Sequence, residues 1–395
     1  MARYKSWTLT DVASDVWLDS FAVANDTLHL PTPHDWSVRK RTLRGGLRDG
    51  VDLIDVHNGA LSFAVVPTRG MGLWRGEYRG DRLGWRSPVL GPVHPRFVPL
   101  ADRGGLGWLD GFDELLCRCG LESNGPPGED VWTDDAGLTH RQHLTLHGRI
   151  ANLPAHLVEV RVGLEPPFEL SVIGQVDEAR LFGPNLRLTT TYTTVPGSPR
   201  LVIHDVVENR AAQPGEMQLL YHLNVGPPFL GAGSRVVAPL RQVVPRDGFA
   251  AAGMDTYDTF LGPTVGFAEQ VYYYELVADS VGRSLVMLCT AAADRGLVVR
   301  FSKAELPCFT LWKNTGALED GYVCGLEPAI NYPNFRAVER KHGRVRRLPP
   351  GGRWEATWTV EVADSRERVA AVLAEIGQLQ ATAPATIHRT PRSDV

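Results

Sequence analysis

Apolar and polar positions alternate with a period of two through most of the chain. In segment 158–165, VEVRVGLE, Val158, Val160, Val162 and Leu164 fall on one face and Glu159, Arg161 and Glu165 on the other. Segment 168–176 repeats the pattern with Phe168, Leu170 and Val172 inward, and similar runs occupy 186–195, 200–209, 216–225, 283–291, 296–303 and 354–362. Such runs, rich in Val, Thr, Leu and aromatics, predict successive antiparallel strands, with PPF, PGSP and LPPGG as corners. Helical periodicity is clear over 365–379, where Val369, Val372, Leu373 and Ile376 form one stripe behind a possible Ser365 N-cap. A short helix is expected near 11–22. Beyond Gln380 neither period continues, and 381–395 is expected to be a flexible tail. No linker divides the chain. The irregular stretch 86–135, rich in Gly, Trp and Asp, reads as loops with a functional task. The predicted architecture is all-β. A single large antiparallel β-sandwich spans 1–380, with 1–50 as leading strands or a short helix and a C-terminal helix at 365–380.

Composition narrows the function. Forty glycines and 28 prolines in 395 residues suit many turns between short strands and argue against a helical bundle. A formal charge of −4 argues against a nucleic-acid partner. No window approaches the roughly 18 consecutive apolar residues of a membrane span, and the first residues lack the apolar core of a signal peptide. Five cysteines without a C-x-x-C pair fit reduced thiols, so a cytoplasmic location is expected. The chain has no G-x-x-x-x-G-K-[ST], G-x-S-x-G or H-E-x-x-H, and RGMGLWRG (69–76) misses G-x-G-x-x-G by one residue.

His143 and His147 are spaced like metal ligands on a helix, but HLTLHG alternates like a strand, which would set them about 13 Å apart. No metal is therefore expected. The basic run RAVERKHGRVRR (336–347) is expected to be a solvated hairpin around His342 and Gly343.

Polar residues in unusual local sequence remain. LHGRIANLPA (146–155) places His147 before a glycine and an arginine. YHLNVGPPFL (221–230) places His222 and Asn224 on one face of a strand that runs into a turn. GLEPAINYPN (325–334) places Glu327 before a proline at a strand end. In this order, with Asn209 in VVEN and the closing LPPGGRWEATWTVEV, they resemble the aldose 1-epimerase (galactose mutarotase-like) family over roughly residues 50–362. Two features depart from the family pattern: its Asn-Arg signature before the first histidine is not evident, and H-x-Y-F-N-L reads here as HLNVGPPFL. The resemblance is closest to a divergent branch carrying RGMGLWRGEYRGDRLGWRSP and GWLDGFDELLCRCGL.

The resemblance implies a mutarotase-type isomerase acting on a free sugar, without cofactor. Exchange of anomers requires the ring to open and reclose, with one base on the anomeric hydroxyl and one acid on the ring oxygen. A histidine and a carboxylate suit that task near neutral pH. By resemblance His222 is the acid, Glu327 the base, and His147 helps hold the ring oxygen. Arg69, Arg149, Asn224, Trp312 and Lys313 are candidates to hold hydroxyls or stack on a sugar face. Two alternatives stay open: a carbohydrate-binding or regulatory protein without turnover, and a hexose-phosphate epimerase or other reaction on the same fold. A phosphorylated sugar would call for an arginine cluster at the cleft, and Arg69, Arg75, Arg79, Arg82 and Arg86 are its candidates.

Overall fold

A computed structural model describes residues 3–133, 137–393 and 395. Among these, two large sheets of ten and fourteen strands pack face to face. The alternating runs form the first sheet, except 216–225, which lies in the second. Leu157–Gly163, Leu170–Ala179, Asn185–Thr194 and Arg200–Asn209 follow one another as antiparallel neighbours, and Arg353–Ala363, Gly296–Ser302 and Arg283–Cys289 continue the sheet. Their inward residues, such as Val158, Val172, Leu188, Ile203 and Trp358, share one core with Val56, Phe63, Leu219 and Leu326 of the second sheet. The all-β sandwich with one long C-terminal helix is therefore the observed fold.

That helix, Arg366–Gln380, is capped by Ser365, whose hydroxyl accepts from the Arg368 N–H at 3.3 Å. Val369, Val372 and Ile376 rest on Leu285, Met287 and Val298, on the outer face of the first sheet. At the other end of the chain, the expected helix near 11–22 is only the short 3-10 turn Val12–Ser14 between strands.

Three regions differ from the sequence reading. The stretch 86–135 contains two strands, Leu116–Leu121 and Gly128–Thr133. Every residue of Leu116–Leu121 is buried, so its sequence LCRCGL does not alternate. Its Arg118 points into the space between the sheets, where Nη2 donates to Asp205 Oδ1 at 2.8 Å and to Thr190 at 2.6 Å. The basic run is not a hairpin. It forms the helix Arg336–Lys341 and then the strand Arg346–Leu348, because Arg336 and Arg340 pair with Asp130 and Glu216. The tail is docked. Thr386–Ile387 pairs in parallel with Leu240–Pro245, His388 Nε2 lies 3.0 Å from Gln242 Oε1, and Arg389 pairs with Asp255.

The second sheet positions the site. Its central order is Gln270–Leu276, Cys308–Asn314, Val323–Ala329, Gly215–Val225, Leu116–Leu121. One face of these strands enters the main core. On the other face lies a separate apolar cluster with Trp85, Trp108, Phe112, Cys117, Leu220, Tyr273 and Val323.

Candidate functional site

Strand parity decides which residues meet. In Gly215–Val225, Leu219, Tyr221, Leu223 and Val225 enter the main core, so Leu220, His222 and Asn224 lie on the opposite face. In Val323–Ala329, Cys324 and Leu326 enter the core, leaving Val323, Gly325, Glu327 and Ala329 on that same opposite face. The antiparallel register pairs Leu220 with Ala329 and Leu223 with Leu326, which sets His222 opposite Glu327. Their side chains meet with Nε2 3.3 Å from Oε1, at 5% and 3% exposure.

Gly325 makes room for this encounter. A Cβ there would stand 2.3 Å from Glu327 Oε1 and 3.2 Å from the Trp312 Cβ. The glycine in C-G-L-E-P is thus a consequence of the carboxylate folding back along its own strand.

Asn224 fixes the histidine. Its Nδ2 donates to the Glu114 and His222 carbonyls at 3.0 and 3.1 Å, so Oδ1 is the acceptor toward His222 Nδ1 at 2.6 Å. Nδ1 therefore carries a proton, and Nε2 faces Glu327. Burial lowers the His222 pKa to about 3, with His147 adding to the effect, while burial holds the Glu327 carboxyl well above its usual range. Both shifts favour the uncharged form of the pair, with the proton on Glu327.

His147 stands after the strand Thr139–Leu144, in a turn where it has φ 56° and Gly148 has φ 69°. A Cβ on Gly148 would meet the Ser123 and Gly120 carbonyl oxygens at 2.3 and 2.5 Å, which explains the glycine of L-H-G. His147 Nδ1 donates to the Asn124 carbonyl at 2.8 Å, and burial keeps the ring neutral by lowering its pKa. Its ring centroid is 5.7 Å from that of His222 and 4.7 Å from Trp108. His143, in contrast, lies on the strand with Nε2 3.2 Å from the Gly104 carbonyl, so the two histidines diverge.

Aromatic rings enclose the histidines. Phe112 lies 5.1 Å and Trp312 5.3 Å from His222, both edge-on, and Trp108 lies 4.6 Å from Phe112. Sequence reading named Trp312 but missed Trp108 and Phe112, which come from a loop without periodicity. It also missed Glu269 and Arg246. The Trp312 indole N–H donates to Glu269 at 2.7 Å, and Glu269 pairs with Arg246 at 3.0 Å.

Three candidates lie elsewhere. Lys313 follows Trp312 in a strand and so points the other way. Its ammonium donates to the Thr256 and Thr259 carbonyls at 2.6 and 2.7 Å inside the core. Arg69 is buried and fully used: it meets Glu114, Asn152 at 2.9 Å, and the Val93 and Gly111 carbonyls at 3.0 Å each. It anchors the loop that carries Trp108 and Phe112. Arg149 is exposed, and its charge acts on Glu178, on another strand. Three of the remaining arginine candidates, Arg75, Arg79 and Arg82, also lie away from the pair. Arg75 and Arg82 line an open groove of about 700 Å³ on the outer sheet face, beside Arg39 and His57, and Arg79 pairs with Asp364.

Residues 48–362 match the family model described as "Domain of unknown function (DUF4432)". The chain belongs to this family. No curated protein matches this DUF4432 chain. Among solved structures it is similar to a Klebsiella pneumoniae protein carried under the provisional name aldose 1-epimerase, at 36% identity over 98% of this chain and 99% of that one, with a TM-score of 0.93. It also shares its fold with a galactose mutarotase-like protein of Clostridium acetobutylicum, at 13% identity over 83% and 98% of the two chains and TM-score 0.58. Galactose 1-epimerase of Lactobacillus acidophilus matches at 12% identity over 88% and 99%, with TM-score 0.51. The DUF4432 chain is accordingly a member of the aldose 1-epimerase-like group, and its sandwich is the galactose mutarotase-like one.

Proposed function

We propose that this DUF4432 protein interconverts the anomers of a free sugar by general acid–base ring opening. The observation that carries the reading is the buried His222–Glu327 pair, 3.3 Å apart on one face and walled by Trp312 and Phe112. Ring opening takes one proton from the anomeric hydroxyl and gives one to the ring oxygen, and the reverse closes the ring on the other face. A pair that shares a single proton has the right proton count for this. In the working form Glu327 is the base on the anomeric hydroxyl, His222 the acid on the ring oxygen, and His147 steadies that oxygen. A sugar whose hydroxyl donates to Glu327 and whose ring oxygen accepts from His222 stabilises the charged form of the pair over the neutral one. Asn224 keeps the reacting nitrogen turned inward, and Trp312 offers an aromatic face to the sugar ring.

The resting proton on Glu327 favours a second reading with the two roles exchanged, Glu327 giving the proton and His222 taking it. A sugar complex of Glu327→Gln separates the readings by which sugar oxygen faces position 327. A neutral sugar fits better than a phosphorylated one, because Arg69, Arg75, Arg79 and Arg82 pair or point elsewhere.

Saturation-transfer NMR over a panel of aldoses tests the activity. At least one sugar should exchange anomers above the uncatalysed rate, and Glu327→Gln and His222→Gln should each lose roughly a hundredfold or more in kcat. Calorimetry on the same samples should show sugar still bound. Exchange of every sugar at the uncatalysed rate, with binding retained, would make the protein a carbohydrate binder.

A further inference from the structure

Trp312 has its only polar atom committed. The indole N–H donates to Glu269 Oε2 at 2.7 Å, while Glu269 Oε1 accepts from Arg246 at 3.0 Å. Arg246 is held in turn by Asp247 at 2.8 Å, and Asp247 caps the short helix Gly248–Ala252 by accepting from the Ala250 N–H at 3.0 Å. The backbone is tied at the same place. Arg246 N–H donates to the Val271 carbonyl at 2.9 Å, and Val271 is the strand partner of Trp312. A continuous line of contacts thus runs Asp247, Arg246, Glu269, Trp312, His222, with the Trp312 ring 5.3 Å from the histidine ring.

Stability does not account for this arrangement. Glu269 is 48% and Arg246 35% exposed, and ion pairs that open to water add little to folding. We propose that Glu269 and Arg246 are positioning residues of the site, locking Trp312 against His222 through its indole N–H. The proposal rests on the mutarotase reading for its effect on turnover, but not for its effect on Trp312 or Glu327. With its N–H spent, Trp312 offers a ligand only its ring, as a flat apolar wall. An indole free to rotate would present an unpaired donor there instead.

The two charges of the ion pair act on Glu327 in opposite directions, beneath the larger effect of burial. That carboxyl is faced by His222 from its neighbouring strand, and its charge also acts on Cys117 and Cys119 of the strand beyond, on Tyr273 of Gln270–Leu276 and on Cys324 of its own strand. Burial dominates its raised pKa, and the Glu269 charge raises it further whereas the Arg246 charge lowers it. Removing either member of the pair therefore has opposite consequences.

The test uses sugar-free full-length protein. The Glu327 carboxyl carbon is followed by pH titration in ¹³C NMR and assigned with Glu327→Gln. The Trp312 indole N–H is followed in ¹H–¹⁵N spectra and assigned with Trp312→Phe. Glu269→Gln should move the Glu327 midpoint down, Arg246→Gln should move it up, and both should shift the Trp312 N–H resonance. With an exchanging sugar, Glu269→Gln should cost roughly ten- to a hundredfold in kcat/KM, with KM rising more than kcat falls. Shifts of the Glu327 midpoint in the same direction, or no change in either signal, would overturn the proposal. Absence of anomer exchange in the wild type would end the mutarotase reading and leave both NMR outcomes decisive for the positioning pair.

Discussion

Asn224 Oδ1 accepts the Nδ1 proton of His222 at 2.6 Å, and this one bond decides which ring nitrogen faces Glu327. It is the counterpart of a carboxylate behind a catalytic histidine, but neutral, so it orients the ring without drawing a positive charge onto it. Burial and the neighbouring His147, which outweigh the small upward pull of this bond, leave His222 uncharged across the neutral range.

A charge placed behind the ring should change that. In Asn224→Asp the His222 pKa should climb from its value near 3, read from histidine ¹⁵N shifts against pH. Asn224→Ala should leave the Nδ1 proton unpaired, let the ring turn, and lower kcat roughly tenfold or more with the fold intact by circular dichroism.

The buried carboxyl has a signature in stability. Unfolded, Glu327 releases its proton near the ordinary 4.5; folded, it keeps the proton to much higher pH. Above 4.5 the folded state therefore binds more protons, and stability falls as pH rises toward the folded pKa, by up to about 1.4 kcal/mol per pH unit. Glu327→Gln removes this loss. Its melting temperature relative to wild type should rise as the pH climbs above 4.5, and a difference independent of pH would show that the carboxyl is not held protonated.

Gly325 offers a change that touches neither acid nor base. Gly325→Ala places a methyl 2.3 Å from the present position of Glu327 Oε1, so the carboxyl must swing away from His222. Anomer exchange should fall by roughly a hundredfold, the effect of misplacing a reacting group by about an ångström. A crystal structure of the variant should show the His222–Glu327 separation lengthened beyond 3.3 Å.

Between the sheets, Arg118 and Asp205 form a two-pronged ion pair with no exposed side-chain surface. Breaking such a pair strands a charge in the core. Asp205→Asn or Arg118→Met should each cost about 3–5 kcal/mol in urea unfolding, while Arg118→Met combined with Asp205→Leu should recover much of that loss.

Alternation along the chain determined strands such as Asn185–Thr194, Arg200–Asn209 and Arg353–Ala363, because each has one face on the core and the other toward water. Arg200–Asn209 was legible to the residue, and Arg366–Gln380 was legible from its own period and cap. His147, His222 and Glu327 stood out in sequence because the residues beside them serve the site rather than packing: Gly148 and Gly325 allow close approaches, and Asn224 holds the His222 ring. What the sequence could not decide was how distant segments meet. Leu116–Leu121 is covered on both sides and so carries no alternation, and its Arg118 reads as a surface residue until Asp205 is brought against it across the sandwich. Arg69 looked available for a ligand until Glu114 and Asn152 closed on it. Lys313 and Trp312 are neighbours in sequence, yet strand parity sends one into the core and the other to the site. Glu269 and Arg246 belong to the site only through contacts with Trp312, which no local pattern encodes. Local sequence specified elements and strained turns; register, parity and long-range pairing, set by packing two sheets on one core, specified which side chains share a face.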